Sequence, residues 1–357
     1  MTFDDVLIIK NGRNQRAVEN PDGKYPIYGS GGIMGYADDY ICEADTVIVG
    51  RKGSINNPIF VEEPFWNVDT AFGLVAKREV LLPRYLYYFC RNYDFERLNK
   101  AVTIPSLTKS DLLKIEITLP SLEIQEKIVN RLLKIEEVIQ ARQQQLQKLD
   151  ELVKARFVEL FGGIHDSKMY PYKLVNDLTD VISGGTPSRD VNEYWEGGTI
   201  PWVKTTELQN NYVTEVEEYI TEEGLNNSSA KIVPAGTVLI AMYGQGKTRG
   251  MTAYLGIEAC TNQACACILP SDKINQTFLW QFFVLSYDNL RDRAKGGNQP
   301  NLNGNIIKNY PVLYPPIELQ EQFAAFVEQT DKSKVAVQKA LDEAQLLSDS
   351  LMQKYFG

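Results

Sequence analysis

Hydrophobic and polar positions follow two different rhythms along this chain. Residues 121–161 contain neither glycine nor proline, and aliphatic residues return every seven positions from Leu132 to Leu160. A sustained seven-residue repeat predicts one long helix that packs against another helix. Residues 317–356 keep the same register from Phe323 to Tyr355. Each helix would be about 60 Å long, at a rise of about 1.5 Å per residue.

An isolated helix with one apolar stripe needs a partner, and the obvious partner is the other long helix. The residues expected to pack this helix pair are, in the first helix, Ile128, Leu132, Ile135, Ile139, Leu146, Leu149, Val153 and Leu160, and in the second, Phe323, Val327, Val337, Leu341, Leu351 and Tyr355. Because the second seam also contains Thr330, Lys334 and Ser348, we expect it to be the weaker half.

The other segments are rich in glycine, proline, asparagine, threonine and tyrosine, with short apolar runs between them. Residues 46–49, 73–76, 237–240 and 264–268 are typical of short strands joined by polar loops. Short helices are predicted over residues 83–92 and 276–287. The pattern therefore predicts an α+β protein with two mixed heads and two long helices.

The chain is one module repeated. Residues 120–162 align without a gap with residues 315–357. Further upstream the offset drifts while the order of the matching pieces is kept, which indicates one fold with loops of different length. Among these pieces are Pro105-Ser106-Leu107 against Pro300-Asn301-Leu302, and Tyr93-Asp94 against Tyr287-Asp288. The predicted divisions are a first head (1–119), a first helix (120–162), a second head (163–314) and a second helix (315–357).

Composition and charge narrow the possible functions. The net charge is −9, and each head has an acidic excess, with 12 basic and 14 acidic residues in 1–104 and 12 and 16 in 163–314. Such a chain does not bind nucleic acid by bulk positive charge alone. One histidine, His165, and five cysteines without paired Cys-x-x-Cys spacing predict no metal site. The absence of a long apolar run or a secretory signal predicts a cytoplasmic protein that does not enter membranes.

Two motifs resemble catalytic signatures only superficially. Residues 241–248 fit a loose phosphate-loop pattern, but the next residues contain two glycines and β-prone side chains where that motif opens a helix. Asn57-Pro58-Ile59-Phe60 is one substitution from the Asn-Pro-Pro-Phe type of adenine site, yet no glycine-rich cofactor loop precedes it. We interpret the first as a basic loop tip and the second as a hairpin edge.

Both heads project a basic, amide-rich loop after equivalent strands. Arginine, lysine, asparagine and glutamine can read base edges, while hydroxyls suit phosphates. The residues predicted to contact DNA are Arg51, Lys52, Ser54, Asn56 and Asn57 in the first head, and Thr186, Arg189, Lys204, Thr205, Gln245, Lys247, Thr248, Arg249, Asn298 and Gln299 in the second.

The order head, helix, head, helix resembles the specificity subunit of type I restriction-modification systems over essentially the whole chain. The pieces that carry this resemblance are Gly185-Thr-Pro-Ser-Arg189, Ile200-Pro-Trp202, Glu223-Gly-Leu225, Thr261-Asn-Gln263, Gln299-Pro-Asn-Leu302 and Leu119-Pro-Ser-Leu-Glu-Ile-Gln-Glu126, with Lys24-Tyr-Pro-Ile-Tyr-Gly-Ser-Gly-Gly32 and Phe65-Trp-Asn-Val-Asp-Thr70 in the first head.

The resemblance implies a division of labour. Each head reads one half of a bipartite site on double-stranded DNA, and the helices form an antiparallel coiled coil that sets the spacing, with a pseudo-two-fold internal repeat. Two methyltransferase subunits would bind S-adenosylmethionine, and restriction subunits would use ATP and Mg²⁺. This chain itself would be non-catalytic and would bind no cofactor.

Two other classes of function remain open from the residues alone. One is a helical scaffold that organises partner proteins without reading DNA. The other is a stand-alone DNA-modifying enzyme, which would need a cofactor or metal site that the sequence does not display. Charge reversal at Arg51 and Lys247 separates DNA reading from both.

Overall fold

The computed structural model describes residues 1–99, 106–244, 246–294 and 300–357. They form two compact units, the first comprising residues 1–144 and 337–357 and the second residues 145–336. The predicted divisions placed each long helix in a segment of its own. Each long helix begins in one of these compact units and ends in the other.

The first head and the first long helix contain short elements followed by one of 40 residues. They are α1 (Phe3–Val6), β1 (Leu7–Asn11), β2 (Tyr25–Gly29), β3 (Gly32–Ala37), β4 (Thr46–Gly50), β5 (Ile59–Val61), β6 (Trp66–Asn67), β7 (Ala71–Ala76), α2 (Pro83–Asn92), a 3₁₀ turn (Phe95–Leu98), α3 (Lys109–Leu112) and α4 (Leu122–Phe161).

The second head and the second long helix follow a similar sequence of elements. They are β8 (Tyr172–Leu174), α5 (Val175–Leu178), β9 (Val181–Ser183), a 3₁₀ turn (Asn192–Tyr194), β10 (Ile200–Val203), a 3₁₀ turn (Thr205–Glu207), β11 (Asn211–Val213), β12 (Glu218–Ile220), α6 (Glu222–Asn226), β13 (Val238–Ala241), β14 (Thr252–Leu255), β15 (Cys260–Thr261), β16 (Cys265–Ile268), α7 (Gln276–Leu285), α8 (Tyr287–Asp292), α9 (Gly304–Lys308), β17 (Pro311–Leu313) and α10 (Ile317–Phe356).

The sheets of the two heads have matching topology. The first head has an antiparallel sheet in the order β1-β7-β4-β5, and the second has β9-β16-β13-β14, extended by β11. Each head also has a smaller sheet with one parallel pair, β2 with β6 and β10 with β15. The predicted strands are thus confirmed as β4, β7, β13 and β16. The matching topology supports the internal repeat.

Two glycines that align in the repeat share one physical cause. A side chain at Gly12 would lie 1.8 Å from the carbonyl oxygen of Val68, and one at Gly184 would lie 2.1 Å from that of Thr261. Val68 directly follows β6, and Thr261 is the last residue of β15, the equivalent strand of the second head. In both heads only glycine allows the backbones to approach this closely.

In the first unit, the start of α4 and the end of α10 run antiparallel against the head. Ile128, Val129 and Leu132 are buried in its core, where Phe356 packs 5.0 Å from the ring of Tyr85. The Arg131 guanidinium donates a hydrogen bond to the Tyr355 hydroxyl across the pair at 2.9 Å. The head and the partner helix therefore both form part of the environment of these helix ends.

In the second unit, the end of α4 and the start of α10 are also antiparallel. Phe157 lies at the centre of an aromatic cluster, 5.4 Å from Phe323 and 5.8 Å from Phe278 of the head. Of the predicted seam residues in the two helices, Ile128, Leu132, Val153, Phe323, Val327 and Val337 are buried, and Ile135, Ile139, Leu146, Leu149, Leu160, Leu341, Leu351 and Tyr355 are half-buried.

The repeated Leu/Ile-Glu-x-Gln-Glu motif anchors each long helix to its own head. Buried Gln125 accepts a hydrogen bond from the Leu82 amide at 2.9 Å and donates to the carbonyls of Val80 and Pro120. Buried Gln320, its equivalent, accepts from the Asn275 amide and donates to Pro315. In each head the glutamine satisfies backbone groups just before α2 or α7.

Among the residues described, no helix is long and apolar enough to cross a membrane.

Candidate nucleic-acid interface

The first basic loop, residues 50–57, leaves the end of β4 and is held by its main chain. The amide of Arg51 donates to the Thr70 carbonyl at 2.8 Å, and the Arg51 carbonyl accepts from the Leu107 amide at 2.9 Å. Ser30, in the turn between β2 and β3, donates to the Lys52 carbonyl. These bonds fix the backbone while the side chains of Arg51 and Lys52 remain exposed.

The rest of this loop divides between exposed and engaged groups. Ser54 and Asn57 are exposed. The amide of Asn56 is already used, because its nitrogen donates to Asp94 at 3.1 Å and its oxygen accepts from the Phe95 amide at 2.7 Å. Asn56 therefore ties the loop to the segment after α2, and the exposed contacts available to a ligand are those of its neighbours.

The second basic loop, residues 244–250, leaves the end of β13, and its described residues include three glycines with positive φ. These are Gly244, Gly246 and Gly250, with φ of 143°, 58° and 87°. Lys247 is exposed and Thr248 is half-buried. The loop leads into strand β14, where a phosphate loop would lead into a helix, so the interpretation as a basic loop tip agrees with the structure.

Arg249 has a structural environment. Its guanidinium donates to the Pro300 carbonyl, and its buried Nε has no partner among the described groups. The Arg249 side chain thus ties the second basic loop to the segment before α9. Because the guanidinium is bonded to Pro300, Arg249 is better placed to hold the loop than to contact a ligand.

One hydrogen bond recurs in both heads at the base of these loops. The Leu107 amide donates to the Arg51 carbonyl at 2.9 Å, and the Leu302 amide donates to the Met242 carbonyl at 3.0 Å. Leu107 and Leu302 are both buried and belong to the matching tripeptides of the repeat. The two loops therefore leave equivalent frameworks, although their exposed side chains differ.

Two predicted DNA contacts in the second head form an ionic cluster with carboxylates. Lys204 lies 2.7 Å from Glu217 and 3.0 Å from Glu218, and Arg189 lies 2.5 Å from Glu218. Hydrogen bonding to Glu217 and then Glu218 raises the pKa of Lys204. Burial alone would raise the pKa of Glu218, but its bonds to Arg189 and Lys204 outweigh burial and lower it.

Arg189 is further held by stacking, since its guanidinium lies 3.6 Å from the ring centroid of Trp195. Thr186 donates its hydroxyl to Gln263, and Thr205 is buried. A buried hydroxyl has little surface to offer a phosphate, so the structure does not favour Thr205 as a contact. The predicted contacts Gln245, Asn298 and Gln299 lie outside the described residues.

The remaining motif residues have structural surroundings. Pro58 is buried and Ile59 begins strand β5, paired with β4, as expected of a hairpin edge. Burial raises the pKa of Cys260 to about 11, which keeps that thiol neutral at pH 7. Burial lowers the pKa of His165, which packs beside Phe282. In the part of the chain that is described, no cluster of histidine, cysteine or carboxylate side chains could hold a metal ion.

The sequence did not single out Arg291 and Tyr287, which contact the second basic loop from α8. The Tyr287 hydroxyl donates to the Lys247 carbonyl at 2.7 Å, and the Arg291 guanidinium donates to the Arg249 carbonyl at 2.6 Å. A signal was present, because Tyr287-Asp288 aligns with Tyr93-Asp94 and an arginine follows three residues later in both heads. That arginine is Arg97 in the first head.

A family model described as the type I restriction modification DNA specificity domain matches residues 1–151 and 170–345. The MjaIX specificity subunit of Methanocaldococcus jannaschii is 31% identical over 172 residues, which are 46% of this chain and 38% of that protein. The EcoR124I/EcoR124II specificity subunit of Escherichia coli is 24% identical over 163 residues, 45% of this chain and 40% of that protein. The chain thus spans about two fifths of these two relatives.

A putative specificity subunit of Haemophilus influenzae aligns more completely, with 23% identity over 349 residues, 91% of this chain and 86% of that protein. Among solved structures, the S subunit from M. genitalium superimposes with a TM-score of 0.67 and 19% identity, covering 100% of this chain and 95% of that one. A chain from a study of type I R-M complex assembly gives 0.58 and 18%, covering 100% and 96%. These likenesses confirm the predicted fold class.

Proposed function

The chain belongs to the family of type I restriction-modification DNA specificity domains, and on that premise we propose that it selects the DNA sequence for such a system. Each head reads one half of a bipartite site on double-stranded DNA. The first basic loop serves the first half-site, through Arg51, Lys52, Ser54 and Asn57. The second basic loop serves the other half-site, with Lys247 and Thr248 as its exposed and half-exposed side chains.

The observation that carries this proposal is the hydrogen bond shared by the two loop bases, Leu107 to Arg51 and Leu302 to Met242. A shared framework with unlike exposed side chains is what two readers of different sequences require, since side chains at base edges determine specificity. The half-sites should therefore differ in sequence.

The net charge of the chain indicates how affinity for DNA is divided between this chain and its partner subunits. The chain has 46 acidic against 37 basic residues, whereas affinity for duplex DNA depends largely on neutralising phosphates. We infer that two methyltransferase subunits, which bind S-adenosylmethionine, supply most phosphate contacts and carry out adenine methylation. Where the system also cleaves DNA, restriction subunits would bring ATP and Mg²⁺. This chain contributes selectivity and no catalytic group.

The long helices α4 and α10 serve in this proposal as the element that sets the spacing between the half-sites. Each is 40 residues long and is anchored to a head by a buried glutamine. A continuous helix transmits a fixed length, because its rise per residue is constant at about 1.5 Å.

The test is a map of adenine methylation in host DNA, with this chain co-expressed with its methyltransferase subunit and again with the methyltransferase alone. We expect a split motif that is methylated only when the chain is present. A soluble complex of the two proteins that adds no methylated motif would refute sequence selection and favour a scaffold.

A further inference from the structure

The second basic loop is wrapped around one guanidinium. Arg291 donates from Nη2 to the Gly246 carbonyl at 2.9 Å and from Nη1 to the Arg249 carbonyl at 2.6 Å, and Nη1 also lies 3.4 Å from the Lys247 carbonyl oxygen. Tyr287, one turn earlier on α8, donates its hydroxyl to the Lys247 carbonyl at 2.7 Å. Arg291 also donates to the Tyr287 hydroxyl at 2.9 Å, which fixes both side chains.

A loop of this composition needs such support. Its described residues include Gly244, Gly246 and Gly250 at positive φ, and glycine loses more conformational freedom on ordering than any other residue. The planar guanidinium presents five N–H donors in a rigid fork, so one side chain can hold several carbonyls in one arrangement. Gly250 fits tightly here, because a side chain on it would lie 3.0 Å from Arg291 Cγ.

In the second basic loop the backbone carbonyls are bonded within the protein, while the Lys247 side chain remains available to a ligand. The carbonyls of Gly246, Lys247 and Arg249 are used by Arg291 and Tyr287, and the Arg249 side chain is used by Pro300. Lys247 remains exposed. A loop ordered before binding loses less entropy on binding, and its side chains meet base edges in one geometry.

In the first head the basic loop is held by a different contact. There the loop residue Asn56 reaches the segment after α2, at Asp94 and Phe95. Arg97, which aligns with Arg291, lies 3.5 Å from Asp94 with its side chain 76% exposed. Arg97 thus occupies the equivalent sequence position and makes a surface ion pair, which makes it a matched control.

We propose that Arg291, assisted by Tyr287, is a positioning residue that determines the specificity of the second head without contacting DNA. The inference rests on the proposed function. It assigns the second half-site's selectivity to a side chain on α8 that holds the loop.

The experiment compares Arg291→Lys, Tyr287→Phe and the control Arg97→Lys in the full chain co-expressed with its methyltransferase subunit. Lysine keeps the charge and loses the fork, so a change cannot come from net charge. For each variant, the rate of methylation is measured on duplexes with the intact site and with single base changes in either half. Melting temperature reports folding.

For Arg291→Lys we expect discrimination against base changes in the second half-site to fall about tenfold, the scale on which one base pair is usually discriminated. Discrimination in the first half-site should stay within about twofold. Tyr287→Phe removes only the hydroxyl, and we expect a smaller loss confined to the same half-site. Arg97→Lys should change neither half.

Unchanged discrimination by folded Arg291→Lys would overturn the inference, as would an equal loss in both half-sites. If Arg291→Lys fails to fold, Tyr287→Phe becomes the deciding variant. Unchanged discrimination by Tyr287→Phe in the second half-site would then overturn the proposal. Failure of the proposed function looks different, because the unsubstituted complex would then discriminate in neither half.

Discussion

Lys334 of α10 lies 2.8 Å from the carboxylate of Asp150 on α4, and 3.3 Å from that of Asp331 on its own helix. Lys334, one of the polar residues on the second seam, therefore has two carboxylate partners. Thr330 on the same seam is buried and donates to the Phe326 carbonyl at 2.9 Å, within α10. The antiparallel register of the pair in the second unit places Lys334 where it serves two carboxylates.

Neutralising Lys334 should lower the free energy of unfolding more than neutralising its exposed partner, Asp150. Asp150 is 71% exposed, so that pair is worth at most about 1 kcal/mol. The Asp331 side chain is only 18% exposed, so removing the Lys334 ammonium leaves a largely buried carboxylate without its counter-ion. We expect Lys334→Met to destabilise the protein by about 1–2 kcal/mol in urea unfolding at pH 7, and Asp150→Asn by less. Equal costs would contradict this ranking.

Asp331 should make stability depend on pH. Burial raises the pKa of its carboxyl, which Lys334 and the Tyr212 hydroxyl lower less strongly. A group whose folded pKa is raised favours folding at pH values below its unfolded pKa, near 3.8, and loses this contribution as pH rises through the folded value. We therefore expect Asp331→Asn to need more urea to unfold than the parent at pH 7. The difference should shrink toward pH 3.5, and a difference that grew on acidification would contradict the assignment.

The anchoring glutamines should be among the most sensitive polar positions. Gln125→Leu leaves three backbone groups without their bonds and Gln320→Leu leaves two. Each buried group left unpaired costs about 1–3 kcal/mol. We expect both variants to lose about 2–4 kcal/mol by thermal unfolding, with Gln125→Leu the worse. Gln147→Leu, which removes only an exposed bond to Glu151, is the control and should stay within about 0.5 kcal/mol.

Lengthening both long helices should lengthen the spacer between the half-sites. The insertion points are where the chain passes between units, after Gln144 and after Ala336. One heptad adds about 10 Å of helix, or about three base pairs of duplex. Methylation mapping should show the same half-sites about three base pairs further apart. An unchanged spacer would contradict the role of the helices, and a heptad in one helix only should abolish methylation because the pair loses register.

Much of the architecture was predictable, because the signals are periodic or repeated. The seven-residue spacing predicted helices over 120–162 and 315–357, and the structure has them at Leu122–Phe161 and Ile317–Phe356. The short helix predicted over 276–287 ends at Leu285, where Ser286 donates to the Phe282 carbonyl and a separate helix α8 begins. A serine side chain bonded to the carbonyl four residues earlier weakens or bends a helix without changing the hydrophobic pattern.

The site was less predictable, because its contacts join residues remote in sequence. The sequence marks Arg189 and Lys204 as basic loop residues, but β12 brings Glu218 within 3.0 Å of both. Arg291 was missed because it bonds to backbone carbonyls, which every residue carries and no motif marks. Conversely, Gln125 and Gln320 stood in the clearest repeat, and their bonds to the heads show why that motif occurs twice.

The most direct test that each basic loop reads one half-site is to reverse one charge in each loop and map adenine methylation separately for each variant. Arg51→Glu and Lys247→Glu change exposed residues of the first and second basic loops, with the exposed Lys114→Glu and Lys231→Glu as controls for charge alone. We expect Arg51→Glu to alter or abolish recognition of one half of the split motif only, and Lys247→Glu to do so for the other half only. The controls should leave the motif intact. A motif unchanged by both loop variants, or the same half altered by both, would contradict this expectation.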